Sequence, residues 1–189
     1  MKEEPVDILD EQGNETGQVL LKSEAHAKSL WHPVVHLWIY NSKAESLMQK
    51  RSPQKQVWPN LWDVAVAGHM AAGQSPEDAL VREAQEELGL KVDLQRVKFI
   101  DKIKFEYPME AGWINKIFIW LYGLQTDLDI TQLTLEKEEV AEVKWIPLDE
   151  LEKMLSDAED SKNFSPDVRD YFNKVIPKIR LADQGEANG

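Results

Sequence analysis

Three glutamates lie close together in the chain and are the first candidates for chemistry. Glu83, Glu86 and Glu87 occur in the stretch AGHMAAGQSPEDALVREAQEELGL, residues 67–90. Like charges four residues apart destabilise a helix by about 0.2–0.5 kcal/mol. A divalent cation such as Mg²⁺ takes oxygen ligands, so its binding would reverse that repulsion. The spacing therefore indicates a metal site, with a solvated acidic helix face as the alternative.

A helix must position these carboxylates, and the sequence marks both of its ends. Ser75 can cap free amide groups, and Pro76 needs no N–H partner in the first turn. Gly89 is the matching stop, because glycine readily adopts the left-handed conformation. We therefore predict a helix from Pro76 to Leu88. An apolar stripe beside the glutamates would face a sheet, and it consists of Leu80, Ala84 and Leu88.

Apolar runs on both sides of this helix predict strands that do not alternate regularly with helices, which favours a mixed sheet with helices on its faces. Residues 5–22 predict an N-terminal β-hairpin. The runs 33–40 and 45–52 predict a second hairpin, and the runs 96–107 and 113–124 predict two paired strands. Further strands are predicted at 62–68 and 142–148, and two more helices at 148–157 and 165–182. We expect one α+β domain over 1–182 and a disordered tail at 183–189.

The composition excludes several classes of function. The net charge is −12 over 189 residues, so most of the surface would repel a nucleic acid polymer. The chain has no cysteine, which removes disulfides, thiolate metal sites and cysteine nucleophiles. No signal peptide or membrane span is visible, so we expect a cytoplasmic protein without a membrane partner. Monomer and homodimer both remain open.

The glutamates belong to a longer pattern that resembles the Nudix box, usually written GX5EX7REUXEEXGU, where U is aliphatic. The box spans 68–90, and the matching residues are Gly68, Arg82, Glu83, Glu86, Glu87 and Gly89. One position departs, because Gln74 stands where the family has its first glutamate. The resemblance implies the Nudix fold, a mixed sheet sandwiched between helices. It also implies hydrolysis of a diphosphate linked to another moiety, with Mg²⁺ as cofactor and Mn²⁺ as an alternative.

The resemblance also assigns roles to single residues. The glutamates that match Glu83, Glu86 and Glu87 would coordinate the metal, and the match to Arg82 would orient them. The backbone carbonyl before the box glycine, here that of Ala67, is often a further ligand. The family commonly places a general base about six residues before a tryptophan, and Glu139 fits that position.

The stretch LMQKRSPQKQVWPNLWDVAVAGHMAAGQS, residues 47–75, is similar to the isopentenyl-diphosphate isomerase-like branch of the family. In that branch the residues that match Arg51 and Lys55 hold the diphosphate, and the match to Lys22 is another phosphate contact. The segment QKRSPQK is a basic island in an acidic chain, which suits phosphate oxygens. Trp58 beside it could stack on a base.

The isomerase itself is a less favoured function. It uses a cysteine where Ala67 stands, and a metal site of three histidines and two later acids. His69 and His32 match two of the histidines, His26 is one residue out of step, and the later strand has no acids in WINKI. We therefore expect these histidines to be packing and hydrogen-bonding residues.

The leading hypothesis is a metal-dependent hydrolase that cleaves a phosphoanhydride bond. Its substrate would be a small-molecule diphosphate, namely a nucleoside diphosphate or a related diphosphate linked to another moiety. One alternative is isopentenyl-diphosphate isomerase activity. The other is a catalytically silent Nudix domain that binds a ligand, a hypothesis that Gln74 alone favours.

Overall fold

A ten-residue strand, Trp31–Tyr40, forms the centre of the sheet in the computed structural model, which describes residues 3–109, 112–165 and 168–186. Within those residues nine strands form one mixed sheet. The strands are β1 (Pro5–Leu9), β2 (Glu15–Leu21), β3 (Trp31–Tyr40), β4 (Glu45–Arg51), β5 (Trp62–Val64), β6 (Val66–His69), β7 (Val97–Pro108), β8 (Ile114–Gln125) and β9 (Val140–Pro147). The helices are α1 (Lys22–Ala27), α2 (Pro76–Leu88), α3 (Leu148–Ser156) and α4 (Val168–Glu186).

Helices cover both faces of the sheet, as the sequence predicts. On one face, Leu80 and Leu88 of α2 pack against Leu37. On the other face, Phe172 and its neighbours on α4 pack against Trp38. Strand β3 contributes to both cores because successive side chains of a strand point to opposite faces.

The predicted hairpins are present. Strands β1 and β2 pair antiparallel, β3 and β4 pair antiparallel, and β7 pairs antiparallel with β8. Strand β8 also runs parallel to the whole length of β3. The sheet is therefore mixed, and the α+β class expected from the sequence is confirmed.

The single strand predicted at 62–68 is wrong, because the structure has two strands there. Val64 in β5 pairs with Met48 of β4, whereas Val66 in β6 pairs with Leu37 of β3. The chain changes its pairing partner from β4 to β3 at Ala65, which lies between β5 and β6 and belongs to neither strand. This change of partner brings the end of β6 to the start of the loop before α2.

The sequence did not predict the short helix α1, which follows β2 directly. Helix α4 was predicted from Ser165, but residues 166–167 lie outside the described residues and the helix is seen from Val168. It continues to Glu186, past the predicted tail boundary at 183, and residues 187–189 again lie outside. No helix in the described ranges is both long and apolar enough to cross a membrane.

Candidate metal and diphosphate site

Helix α2 begins and ends at the predicted residues. The Ser75 hydroxyl accepts a hydrogen bond of 3.1 Å from the backbone N–H of Asp78, which caps the first turn. Gly89 ends the helix at a φ of 64°, in the left-handed region. Local chemistry alone therefore fixes where the glutamates stand along the helix axis.

Strand β6 approaches α2 so closely that only glycine fits at residue 68. A Cβ atom on Gly68 would lie 2.0 Å from the Cδ atom of Glu83. The Glu83 side chain is only 12% exposed, between the strand and the helix. Because Gly68 has no side chain, the Glu83 carboxylate can occupy this space.

Both terminal nitrogens of Arg82 donate hydrogen bonds within the Nudix box. Nη1 donates to Glu83 Oε1 at 2.8 Å and to Glu86 Oε2 at 3.2 Å. Nη2 donates to the carbonyl of His69 at 2.8 Å and to Gln74 Oε1 at 3.2 Å. The guanidinium therefore orients two glutamates and anchors them to the loop before the helix.

Gln74, the departure from the family pattern, has a structural role in this arrangement. Its Oε1 accepts from Arg82 and also, at 3.1 Å, from the backbone N–H of Ala71. An amide oxygen serves these two donors as a carboxylate oxygen would. The loss of charge at this position leaves the loop and Arg82 connected.

Glu87 is the most enclosed of the three glutamates, at 7% exposure. Its Oε2 accepts from the backbone N–H of Ala67 at 3.4 Å and from Gln49 Nε2 at 3.3 Å. Burial, followed by the charge of Glu83, raises the pKa of Glu87 well above its usual range. Burial also raises the pKa of Glu83, against the opposing effect of Arg82.

Enclosed carboxylates with raised pKa values are typical of cation-binding sites. The sequence analysis missed Gln49, although a polar residue at a buried position of β4 is a usable signal.

The basic residues predicted to bind phosphate lie around this acidic site. Arg51 Nη1 pairs with Asp63 Oδ2 at 3.4 Å, and Arg51 Nε donates to the carbonyl of Val57 at 3.2 Å. Lys55 forms an ion pair with Glu139. The charges of Glu139 and Arg51 both act on the pKa of Glu87, the first raising it and the second lowering it. The candidate base and the phosphate-binding candidates therefore border one site.

Trp58, the candidate for stacking on a base, adopts a φ of 49°. Its ring centroid lies 5.1 Å from that of Tyr107, at an angle of 39°. The sequence analysis did not select Tyr107, which extends the aromatic wall from the loop onto β7.

Three histidines, His26, His32 and His69, lie together beside the site. They include His26, which is one residue out of step with the isomerase pattern. His26 Nε2 lies 3.2 Å from His32 Nε2 and 3.3 Å from His69 Nε2. The short helix α1 carries His26 into this cluster, which the residue spacing could not reveal. Burial first, then the charges of His32 and Lys22, lower the pKa of His26 to about 3.

Among the described residues, these histidines are the group of three whose ligand atoms all lie within 4.8 Å of one another. The three glutamates are more widely spaced, because Arg82 holds Glu86 on the outer side while Glu87 turns toward β6.

Comparisons with known proteins agree with this geometry. Residues 30–168 match the family model described as the NUDIX domain. An uncharacterized Nudix hydrolase of Listeria monocytogenes is 37% identical over 153 residues, 81% of this chain and 85% of that protein. An isopentenyl-diphosphate Δ-isomerase of Citrobacter koseri is 30% identical over 159 residues, 84% of this chain and 85% of that protein.

Among solved structures, DR0079 from Deinococcus radiodurans has the same fold. Its TM-score is 0.66 at 22% identity, over 81% of this chain and 89% of that one.

Proposed function

The chain belongs to the Nudix hydrolase family, and we propose that it is a divalent-metal-dependent hydrolase of a small diphosphate. The bond cleaved is a phosphoanhydride, in a nucleoside diphosphate or a related diphosphate joined to another moiety. The observation that carries this proposal is the enclosed pair Glu83 and Glu87, of which Glu83 is oriented by Arg82 and occupies the space left by Gly68, and Glu87 accepts from the N–H of Ala67. A solvated acidic helix face would not require carboxylates that are buried and held in one orientation.

The donor set fits a hard cation such as Mg²⁺, with Mn²⁺ as the alternative. Carboxylates and a backbone carbonyl are the oxygen ligands these ions prefer, and Mg²⁺ also retains several waters. Glu83, Glu86, Glu87 and the Ala67 carbonyl would hold it. Retained water suits glutamates that do not converge on one point. When bound, the cation would neutralise phosphate oxygens and lower the pKa of a water molecule.

The basic residues would bind and orient the diphosphate. Arg51 acts on the pKa of Glu87, and Lys55 pairs with Glu139, which also acts on it, so these two cations lie near the carboxylates. Lys22 lies near the histidine cluster, because burial first and then charges that include Lys22 lower the pKa of His69. Phosphate oxygens bind such cations by charge-assisted hydrogen bonds. We assign diphosphate binding to Lys22, Arg51 and Lys55, and stacking on the attached group to Trp58.

Glu139 is the candidate general base. Its carboxylate is held by Lys55 in the ligand-free protein, and a phosphate that engages Lys55 would compete for that lysine. Glu139 could then accept a proton from the attacking water. The pairing therefore links substrate binding to the availability of the base.

The relative in Citrobacter koseri supports the isomerase as a second candidate. Two residues of this chain disfavour it. Ala67 cannot transfer a proton, and the strand that follows Trp113 carries Ile114, Asn115 and Lys116 in place of acids. The isomerase would convert isopentenyl diphosphate without releasing phosphate.

The deciding experiment incubates the wild-type protein and Glu87→Gln with Mg²⁺ and a substrate panel. The panel contains nucleoside diphosphates, ADP-ribose, nucleotide sugars and isopentenyl diphosphate, with products identified by mass. Cleavage that requires the metal and is lost in the variant supports the hydrolase. A product of unchanged mass that separates chromatographically identifies the isomerase, and intact substrates throughout identify a binding domain.

A further inference from the structure

His36 is the one residue of the central strand that is only partly buried. Every other residue of β3 is buried, as expected for a strand paired on both sides and covered by helices on both faces. A partly exposed side chain at its middle requires an opening that extends to the centre of the sheet. The opening therefore has His36 in its floor.

This opening adjoins the site of the box. His36 and Ala67 are directly opposite each other in the antiparallel pairing of β3 with β6. Opposite residues share a face of the sheet, with Cβ atoms about 4.5–5.5 Å apart. Ala67 precedes Gly68 and donates its N–H to Glu87. Gly68 faces the opposite side, where Glu83 lies, whereas the N–H of Ala67 that binds Glu87 lies in the plane of the sheet between the two faces. A substrate whose diphosphate lies at the glutamates can therefore reach His36 by extending past Ala67.

A chain of hydrogen bonds fixes which nitrogen of His36 carries the proton. Trp38 Nε1 donates to the hydroxyl oxygen of Tyr171 at 3.1 Å, since an indole can only donate. The same hydroxyl lies 2.7 Å from His36 Nδ1. Its single O–H finds an acceptor there, so Nδ1 presents its lone pair and the proton resides on Nε2.

The Nε2–H group is available to a ligand. Across 3–109, 112–165 and 168–186, His36 Nε2 has no hydrogen-bond partner, and it is not one of the buried unpaired polar atoms. Because Nδ1 accepts the hydrogen bond from Tyr171, the ring carries a single proton and is neutral. His36 therefore offers one uncharged donor into the opening.

A continuous series of aromatic contacts connects His36 with Trp58, buried at Tyr171 and Phe105 and partly exposed at Tyr107 and Trp58. Tyr171 lies 5.9 Å from Phe105 between centroids, Phe105 lies 5.7 Å from Tyr107, and Tyr107 lies 5.1 Å from Trp58. Such a wall suits a flat, largely apolar group. A neutral donor at its end selects a group that also carries an acceptor, as a nucleobase does and an isoprenyl chain does not.

We propose that His36 determines specificity by donating its Nε2 hydrogen to an acceptor atom on the ring joined to the diphosphate, and that Tyr171 is its positioning residue. The inference rests on the proposed function, because it identifies the substrate class of the same site. A purely structural His36 would tolerate any replacement that preserves the fold.

The kinetic test compares His36→Leu with His36→Gln on ADP-ribose. Leucine removes the donor, whereas the Gln side-chain amide replaces Nε2–H. We expect His36→Leu to raise KM about tenfold with kcat within about twofold, the loss of one neutral hydrogen bond in binding. His36→Gln should retain most of the affinity. Equal KM values for wild type and His36→Leu would overturn the proposal.

A second measurement does not depend on turnover. Nitrogen-15 NMR of the imidazoles, with AMP as the added probe, should show a lone pair at His36 Nδ1 and a shift of Nε2–H on binding. Tyr171→Phe should lose this tautomer, while Tyr122→Phe, a hydroxyl removed from the opposite face, should keep it. A proton at Nδ1 in the wild type, or no shift with AMP, would contradict the proposal.

The two measurements also distinguish a failure of the hydrolase proposal from a failure of the proposal for His36. A protein that cleaves nothing but shows the AMP shift disproves the hydrolase and keeps the assignment of His36. A protein that cleaves ADP-ribose with KM indifferent to His36 keeps the hydrolase alone.

Discussion

The backbone of Gly68 and the carboxylate of Glu83 occupy adjoining space, and a Cβ atom at 68 would lie 2.0 Å from Glu83 Cδ. The strand and the helix meet at this point without room for one carbon atom. Glu83 therefore keeps a single position, set by Gly68 on one side and by Arg82 on the other. This contact makes the geometry of the site sensitive to one methyl group.

Gly68→Ala should therefore displace Glu83 and reduce kcat at least tenfold. Overpacking of this kind typically destabilises a protein by about 1–3 kcal/mol. Thermal denaturation and steady-state kinetics on the same preparation test both effects. Shortening the acid in Gly68→Ala/Glu83→Asp should restore part of the stability, and a double variant less stable than the single one would contradict the contact.

Glu87→Gln should abolish metal-dependent turnover while retaining the fold, because glutamine preserves the shape and the hydrogen bond from Ala67. Added Mg²⁺ should raise the melting temperature of the wild type and leave that of the variant unchanged. Glu86→Gln is the matched control, since Glu86 is 53% exposed and its loss should reduce the effect of Mg²⁺ only partly. Unchanged turnover in Glu87→Gln would disprove the metal assignment.

In the metal-free protein, the contribution of Glu87 to stability should fall as the pH rises. The folded-state pKa of Glu87 is raised above its ordinary value of 4.5, so between these two values the folded state binds more protons than the unfolded state. The part of the free energy of unfolding that comes from Glu87 then falls from about pH 4.5 up to the folded-state pKa. The four histidines contribute a slope of opposite sign, because their folded-state pKa values are lowered. Chemical denaturation of wild type and Glu87→Gln in EDTA across this range isolates the contribution, because the histidine effects cancel in the difference. The stability of the wild type relative to the variant should fall as the pH rises.

Gln74→Glu should change kcat/KM by no more than about threefold, because the amide oxygen already serves Arg82 and Ala71. Gln74→Ala should lower it by about tenfold, since the N–H of Ala71 loses its acceptor and Arg82 loses its tie to the loop at this residue. Kinetics of the two variants on one substrate make the comparison. A large gain in Gln74→Glu would instead mean that the natural glutamine impairs the site.

Substitutions of Lys55 and Glu139 should affect different kinetic parameters, because Lys55 is assigned to substrate binding and Glu139 to the chemical step. Lys55→Met should mainly raise KM, because it removes a cation from the diphosphate site, whereas Glu139→Gln should mainly lower kcat. The kcat and KM values of both variants on ADP-ribose test this division. Identical effects of the two substitutions would indicate that the ion pair is only structural.

The sequence by itself determined the elements whose signals are local. Ser75, Pro76 and Gly89 set the limits of α2 through caps that involve residues a few positions away, so the helix was predictable to the residue. The order of acids on that helix and the glycine before it were enough to indicate the family. The hairpins followed for the same reason, since turn residues and alternating apolar runs act over short distances.

Only the tertiary structure decided which distant groups meet. His36 and Tyr171 are 135 positions apart, and Lys55 and Glu139 are 84 apart, so no spacing rule could pair them. Strand β6 separates from β5 because the two strands hydrogen-bond to different neighbours, which the continuous run 62–68 does not reveal. His26 enters the histidine cluster through a helix too short to have a periodic signal. Sequence patterns record local preferences, whereas these contacts depend on how the sheet brings remote segments together.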